Sequence, residues 1–178
     1  MDIKYIEIIS KDVIRSGQYL IPSLFFSMIL VVVVSYLCVK KNIIICDKYK
    51  SIFWIFFLSY ILIIFQTAFL SREPGSRKSI SLTLFETWGN GIHNHAFFIE
   101  NIIMFVPFGV LTPILFFKIR KMKCCVLSGF LCSCTIEIMQ LLTQRGYCQV
   151  DDVLTNTVGT FLGWFIWKTV NRLIKTQC

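Results

Sequence analysis

Five apolar blocks, each long enough to cross the hydrocarbon of a bilayer, constrain this chain more than any other feature. Crossing as a helix takes about 20 residues. The blocks run at about 20–39, 51–70, 98–117, 124–143 and 153–170, the last being the shortest and most polar. In lipid every backbone N–H and C=O must find a partner inside the protein, so runs of this kind are expected as helices. The expected fold is therefore all-α, an integral membrane bundle of about five transmembrane helices. Only 16% of the 178 residues are charged, against about 25% in an ordinary soluble domain, and a soluble-domain reading is excluded.

Residues 1–18 read differently from 19–178. Ile3, Ile6, Ile9 and Val13 recur at helical spacing with Lys4, Glu7, Lys11 and Asp12 between them, which suits an N-terminal amphipathic helix lying in the interface. The first apolar block is longer than a signal core and lacks an A-x-A-like exit, so it is expected to stay as a helix. The net charge of +8 does not imply nucleic acid, because Lys and Arg sit in the gaps between apolar blocks. Lys40, Lys41, Lys48 and Lys50 follow the first block, Lys118, Arg120, Lys121 and Lys123 follow the third, and Lys168, Arg172 and Lys175 lie in the tail. Loops rich in Lys and Arg face the cytoplasm, so the N-terminus is expected outside and the C-terminus inside.

The eight Cys residues show no zinc-type spacing. Cys124, Cys125, Cys132 and Cys134 lie inside an apolar block, where Cys behaves as a small hydrophobe. His93 and His95 are read as surface histidines in the loop before the third block. Neither a metal nor a cofactor is expected.

Ionisable groups in membrane helices are costly and face a bundle interior or a cavity, which makes their positions informative. Glu137 and Gln140 are three residues apart in the last two turns of the fourth block and share a face. Asn101 lies one turn into the third block beside Glu100. Asn156 lies one turn into the fifth, with Asp152 four residues before it on the same face. Arg145, Asp151 and Asp152 are placed in the loop joining the last two blocks, and Arg72 closes the second. Because the helices alternate in direction, all of these residues reach one membrane surface, which the loop charges make the extracytoplasmic one. Gly159 and Gly163 form a G-x-x-x-G that permits close backbone approach, so a homo-oligomer through this helix is expected. Pro107, Gly109 and Pro113 suggest a kink in the third helix.

These residues carry a resemblance. Asn101, Phe105, Pro107 and Gly109, the Glu137–Gln140 pair, and Arg145 followed by Asp151, Asp152, Asn156 and Gly159 resemble the signature segments of VanZ-like membrane proteins, over roughly residues 65–165. Arg72 falls where that family often has an Arg. What the resemblance implies is a multi-pass protein of the bacterial plasma membrane that contributes to low-level resistance to the glycopeptide teicoplanin.

The residues and the resemblance together give an expected ligand set of Arg72, Asn101, Glu137, Gln140, Arg145, Asp151, Asp152 and Asn156. The expected partners are membrane lipids, the head of a cell-wall lipid precursor, or a lipoglycopeptide. An alternative is a membrane enzyme on cell-wall lipid precursors, with Glu137, Asp151 and Asp152 as candidate acid–base groups. A second alternative is a structural membrane subunit.

Overall fold

A computed structural model of the chain describes residues 10, 11, 14, 17–40, 48–70, 75, 80, 81, 83, 84 and 92–177. The expected amphipathic segment at 1–18 falls largely outside these residues, and so does Arg72. Five helices follow one another: α1 (Leu20–Lys40), α2 (Lys48–Phe65), α3 (Ile92–Leu115), α4 (Met122–Thr143) and α5 (Val150–Gln177). A π-helical turn, Gln66–Leu70, continues α2, and a 3-10 turn, Phe117–Arg120, joins α3 to α4. Two short strands, β1 (Ile80–Ser81) and β2 (Cys148–Gln149), pair in parallel, Ile80 opposite Cys148 and Ser81 opposite Gln149.

The distribution of side chains is that of a protein immersed in lipid. Thr112, Ser133, Thr155, Asn156 and Thr160 are buried, while Phe25, Phe26, Phe65, Leu142 and Phe165 are exposed. Large exposed apolar surface on this scale marks contact with a membrane. The stretches Leu20–Leu37, Lys50–Leu70, His95–Leu115 and Met122–Thr143 are long and apolar enough to cross one. The 28-residue helix α5 carries more polar residues but runs parallel to α3, with Gly159 beside Ile102 and Gly163 beside Val106.

Three glycines set that contact. A Cβ built on Gly159 would lie 2.2 Å from the Ile102 carbonyl oxygen, and one on Gly163 would lie 2.1 Å from that of Val106. One on Gly109 would lie 2.1 Å from the Thr160 carbonyl oxygen. The two backbones touch here, and only hydrogen fits. The face expected to mediate a homo-oligomer is thus occupied by α3 of the same chain. On the other side of α5, α4 runs antiparallel and Gly129 admits the Thr160 side chain.

Backbone groups left open are taken up locally. Pro107 and Pro113 both lie inside α3, which continues through them. Pro113 has no N–H for the Gly109 carbonyl, and the Cys125 Sγ approaches that oxygen at 3.9 Å. At the end of α3 the Arg120 Nε donates to the Pro113 carbonyl at 3.1 Å, while the Trp164 Nε1 donates to the Arg120 carbonyl at 3.0 Å. Tyr60 on α2 donates its hydroxyl to the Met104 carbonyl at 2.9 Å. Helix α1 meets α2 through the buried Ser23, Ser27 and Ser59, small residues that let the axes come close.

The glycine contact yields a test. Gly163→Leu is expected to lower stability by about 1–3 kcal/mol or more, since backbone rather than a side chain must move. Gly17→Ala, where nothing lies within 4 Å, is expected to stay within about 0.5 kcal/mol. Unfolding of purified protein in mixed micelles by increasing sodium dodecyl sulfate measures both, and equal stability of Gly163→Leu and wild type would refute the close contact.

Candidate functional site

The polar residues gather where α2 and α4 end and α3 and α5 begin. Glu137 lies six residues before the end of α4, and Asn156 six residues after the start of α5, so both sit about 9 Å below their helix ends. Exposure is 3% at Glu137, 4% at Gln140, and 2% at Asp151 and at Asn156. These groups are buried between helices.

Helix α4 stops at Gln144, whose backbone is left-handed with φ 55°. The Gln144 N–H bonds back to the Gln140 and Leu141 carbonyls, and the Arg145 N–H bonds to the Gln140 carbonyl at 3.0 Å. This is a Schellman-type close on a residue other than glycine. The reversal throws Arg145 across to α2, where its Nη1 donates to the Phe69 carbonyl. The Gln140 Nε2 reaches the neighbouring Ala68 carbonyl at 3.5 Å. Both carbonyls belong to the π-helical turn, whose wider winding and terminal position leave them open. The Arg145 side chain, expected to meet a carboxylate or an anion, is thus seen closing the end of α2.

From Arg145 the chain returns through β2, and the Gln149 N–H donates to the Glu137 Oε2 at 3.0 Å. Helix α5 starts at Val150, so Asp151 and Asp152 occupy its first turn and not the loop where the sequence had placed them. Negative charge is favourable there, against the positive end of the helix dipole. The Asn101 Nδ2 donates to the Asp152 Oδ1 at 2.7 Å. One turn deeper, the Asn156 Nδ2 donates to the Ser133 Oγ at 2.8 Å, and the Asn156 Oδ1 is buried with no hydrogen-bond partner. Asn101, Glu137, Gln140, Arg145, Asp151, Asp152 and Asn156 therefore come together at one end of the bundle.

Helix α3 begins at Ile92, so His93 and His95 lie in its first turns and not in a loop. The site also contains groups that sequence reasoning passed over: Ser133, the Gln149 N–H, and the Ala68 and Phe69 carbonyls. Ser133 carried a usable signal, lying four residues before Glu137 on the same face of α4. The carbonyls carried none.

Cys148 sits in β2, beside the cluster. Partial burial pushes its thiol up from the ordinary range, and the negative charge of Glu137, then Cys134 and Asp152, pushes it further. Because the thiolate is the reactive form, Cys148 should alkylate more slowly than an ordinary thiol at neutral pH, with its rate profile displaced to higher pH. Glu137→Gln removes one negative neighbour and is expected to move the profile back down. Iodoacetamide labelling of Cys148 followed by mass spectrometry across pH checks this, and an unchanged profile in Glu137→Gln would separate the thiol from the cluster.

Fold and site define a polytopic helical membrane protein with a buried polar cluster at one end of the bundle. A family model described as VanZ/LLP1 matches residues 51–172, and the chain belongs to that family. It is 35% identical over 96 residues to "Protein VanZ" of Enterococcus faecium, an alignment covering 54% of this chain and 56% of that protein. The chain thus matches little more than half the length of this relative. No solved structure matches it.

Proposed function

We propose that this VanZ/LLP1 family member binds the headgroup of a cell-envelope lipid, or of a lipophilic glycopeptide, at the polar end of α3, α4 and α5, and thereby contributes to low-level teicoplanin resistance. The observation that carries the reading is the burial of Glu137 and Asp151 together with Gln140 and Asn156 at one end of a bundle whose other buried polar side chains, among the described residues, are all Ser or Thr hydroxyls. Fastening helices does not require charge. Hydrogen bonds between neutral groups suffice for that, at about 0.6 kcal/mol each on average, whereas a buried carboxylate costs several kcal/mol before its partners offset it. Ionisable groups kept at such cost mark a site.

In this reading Asn101, Glu137 and Asp152 shape the site and Asn156 lies at its floor. Arg145, beyond its bond to Phe69, has further N–H groups to offer a phosphate or carboxylate. The Lys- and Arg-rich connections after α1 and α3 and the basic tail favour a cytoplasmic C-terminus, which sets the cluster on the extracytoplasmic side of a bacterial plasma membrane. A membrane enzyme is the second reading, favoured by the burial of Glu137, since burial can hold a carboxyl ready for proton transfer. Product analysis of cell-wall lipid precursors incubated with the purified protein separates the two.

The test is growth of a susceptible Gram-positive host on teicoplanin and on vancomycin, expressing the chain at matched membrane levels. Wild type is expected to raise tolerance to teicoplanin selectively, and Glu137→Gln and Asp152→Asn to remove most of that gain. Full protection by both variants would refute a role for the cluster, and no protection by wild type would refute the link to resistance.

A further inference from the structure

The headgroup reading leaves open which chemistry the site selects, and the hydrogen-bonding character of its floor decides it. Three carboxylates, Glu137, Asp151 and Asp152, stand at this end with one guanidinium, Arg145, among the described residues. Glu100 adds a fourth carboxyl one residue before Asn101, and His95 lies further up the same helix. The Arg145 Nη1 is committed to the Phe69 carbonyl. Formal charge among the described residues at this end is therefore negative.

An independent observation lies at the floor. Asn156 is 2% exposed, and its Oδ1 is a buried acceptor with no hydrogen-bond partner. Its Nδ2 is held by Ser133, one turn below Glu137 on α4, and Asp152 lies one turn above it on α5. The open oxygen thus belongs to a residue one turn from Asp152 on α5, bonded to a residue one turn from Glu137 on α4. A buried acceptor left open is costly, and a donor reaching it would recover that cost.

Resting on the headgroup reading, we infer that the site takes a primary ammonium group, presented by an ethanolamine- or aminoacyl-type lipid headgroup. An ammonium carries positive charge and three N–H donors. It can give one to the Asn156 Oδ1 and the others to the Glu137 and Asp152 carboxylates. A quaternary amine has no donor for the open oxygen, and a purely anionic head meets like charge. In a zwitterionic head the phosphate falls toward Arg145 while the ammonium reaches the floor.

Native mass spectrometry of the full chain in micelles tests this with two lipids: phosphatidylethanolamine and its N-acetylated form, which keeps the phosphate and loses the ammonium. Wild type is expected to prefer phosphatidylethanolamine by at least about tenfold in affinity. Glu137→Gln and Asn156→Leu should each reduce the preference, and Asn156→Asp, which places a carboxylate oxygen at the floor, should increase it. Competition by soluble glycerophosphoethanolamine would assign the ammonium to a free amine, and its failure to compete would assign it to a lipid. Either result supports the ammonium. Equal binding of the two lipids by wild type overturns the ammonium assignment while leaving the headgroup reading standing, whether or not Asn156→Leu folds. Loss of preference in Asn156→Asp also overturns it. Absence of binding by either lipid overturns both readings.

Discussion

The contact on which the rest of the molecule depends is the meeting of two backbones, α3 against α5, at Gly109, Gly159 and Gly163. In lipid there is no hydrophobic drive between apolar helices, so association relies on close packing and on polar bonds. The glycines let the carbonyls of Ile102 and Val106 lie against α5 where any side chain would collide. That fixes two parallel helices in one register. The register sets Asn101 across from Asp152 and makes their bond possible. A shift by one turn, about 5.4 Å, would separate them. The site is therefore a consequence of small residues that begin one turn below it.

The second constraint is that polar groups near the membrane need partners. The ends of α2 and α4 would expose carbonyls, and the molecule lets one close the other. The Gln144 turn caps α4 with its own backbone and sends Arg145 to the end of α2. The return strand then presents the Gln149 N–H to Glu137. Each step that satisfies a helix end also brings a polar side chain into the cluster. The interior of the bundle is polar and small while its exterior is large and apolar, the arrangement lipid favours.

Much of this was legible in the sequence, for physical reasons. Bilayer thickness imposes a length that the five blocks announce. Helical spacing and alternating direction were enough to group Asn101, Glu137, Gln140, Asp152 and Asn156 at one level. The starts of α3 and α5 were less legible. His93 and His95 read as surface residues of a loop, yet the helix begins at Ile92. Asp151 and Asp152 read as loop charges because they precede the apolar block that begins at residue 153, whereas a helix N-terminus accommodates them. Gly159 and Gly163 declared a close approach but not its partner, since the pattern serves a contact within a chain as well as one between chains. The partner of Arg145 was out of reach, because nothing in Gln66–Leu70 announces a π-helical turn or the carbonyls it leaves open.

The central claim is that the polar cluster is where a headgroup sits. The most direct measurement is photo-cross-linking in bilayers with a phospholipid carrying a diazirine on its headgroup, with adducts located by peptide mass spectrometry. The account predicts adducts concentrated at the start of α3 and between Glu137 and Asn156, reduced by excess unlabelled lipid. Adducts spread evenly over the exposed ends of all five helices, with no enrichment there and no competition, would contradict it.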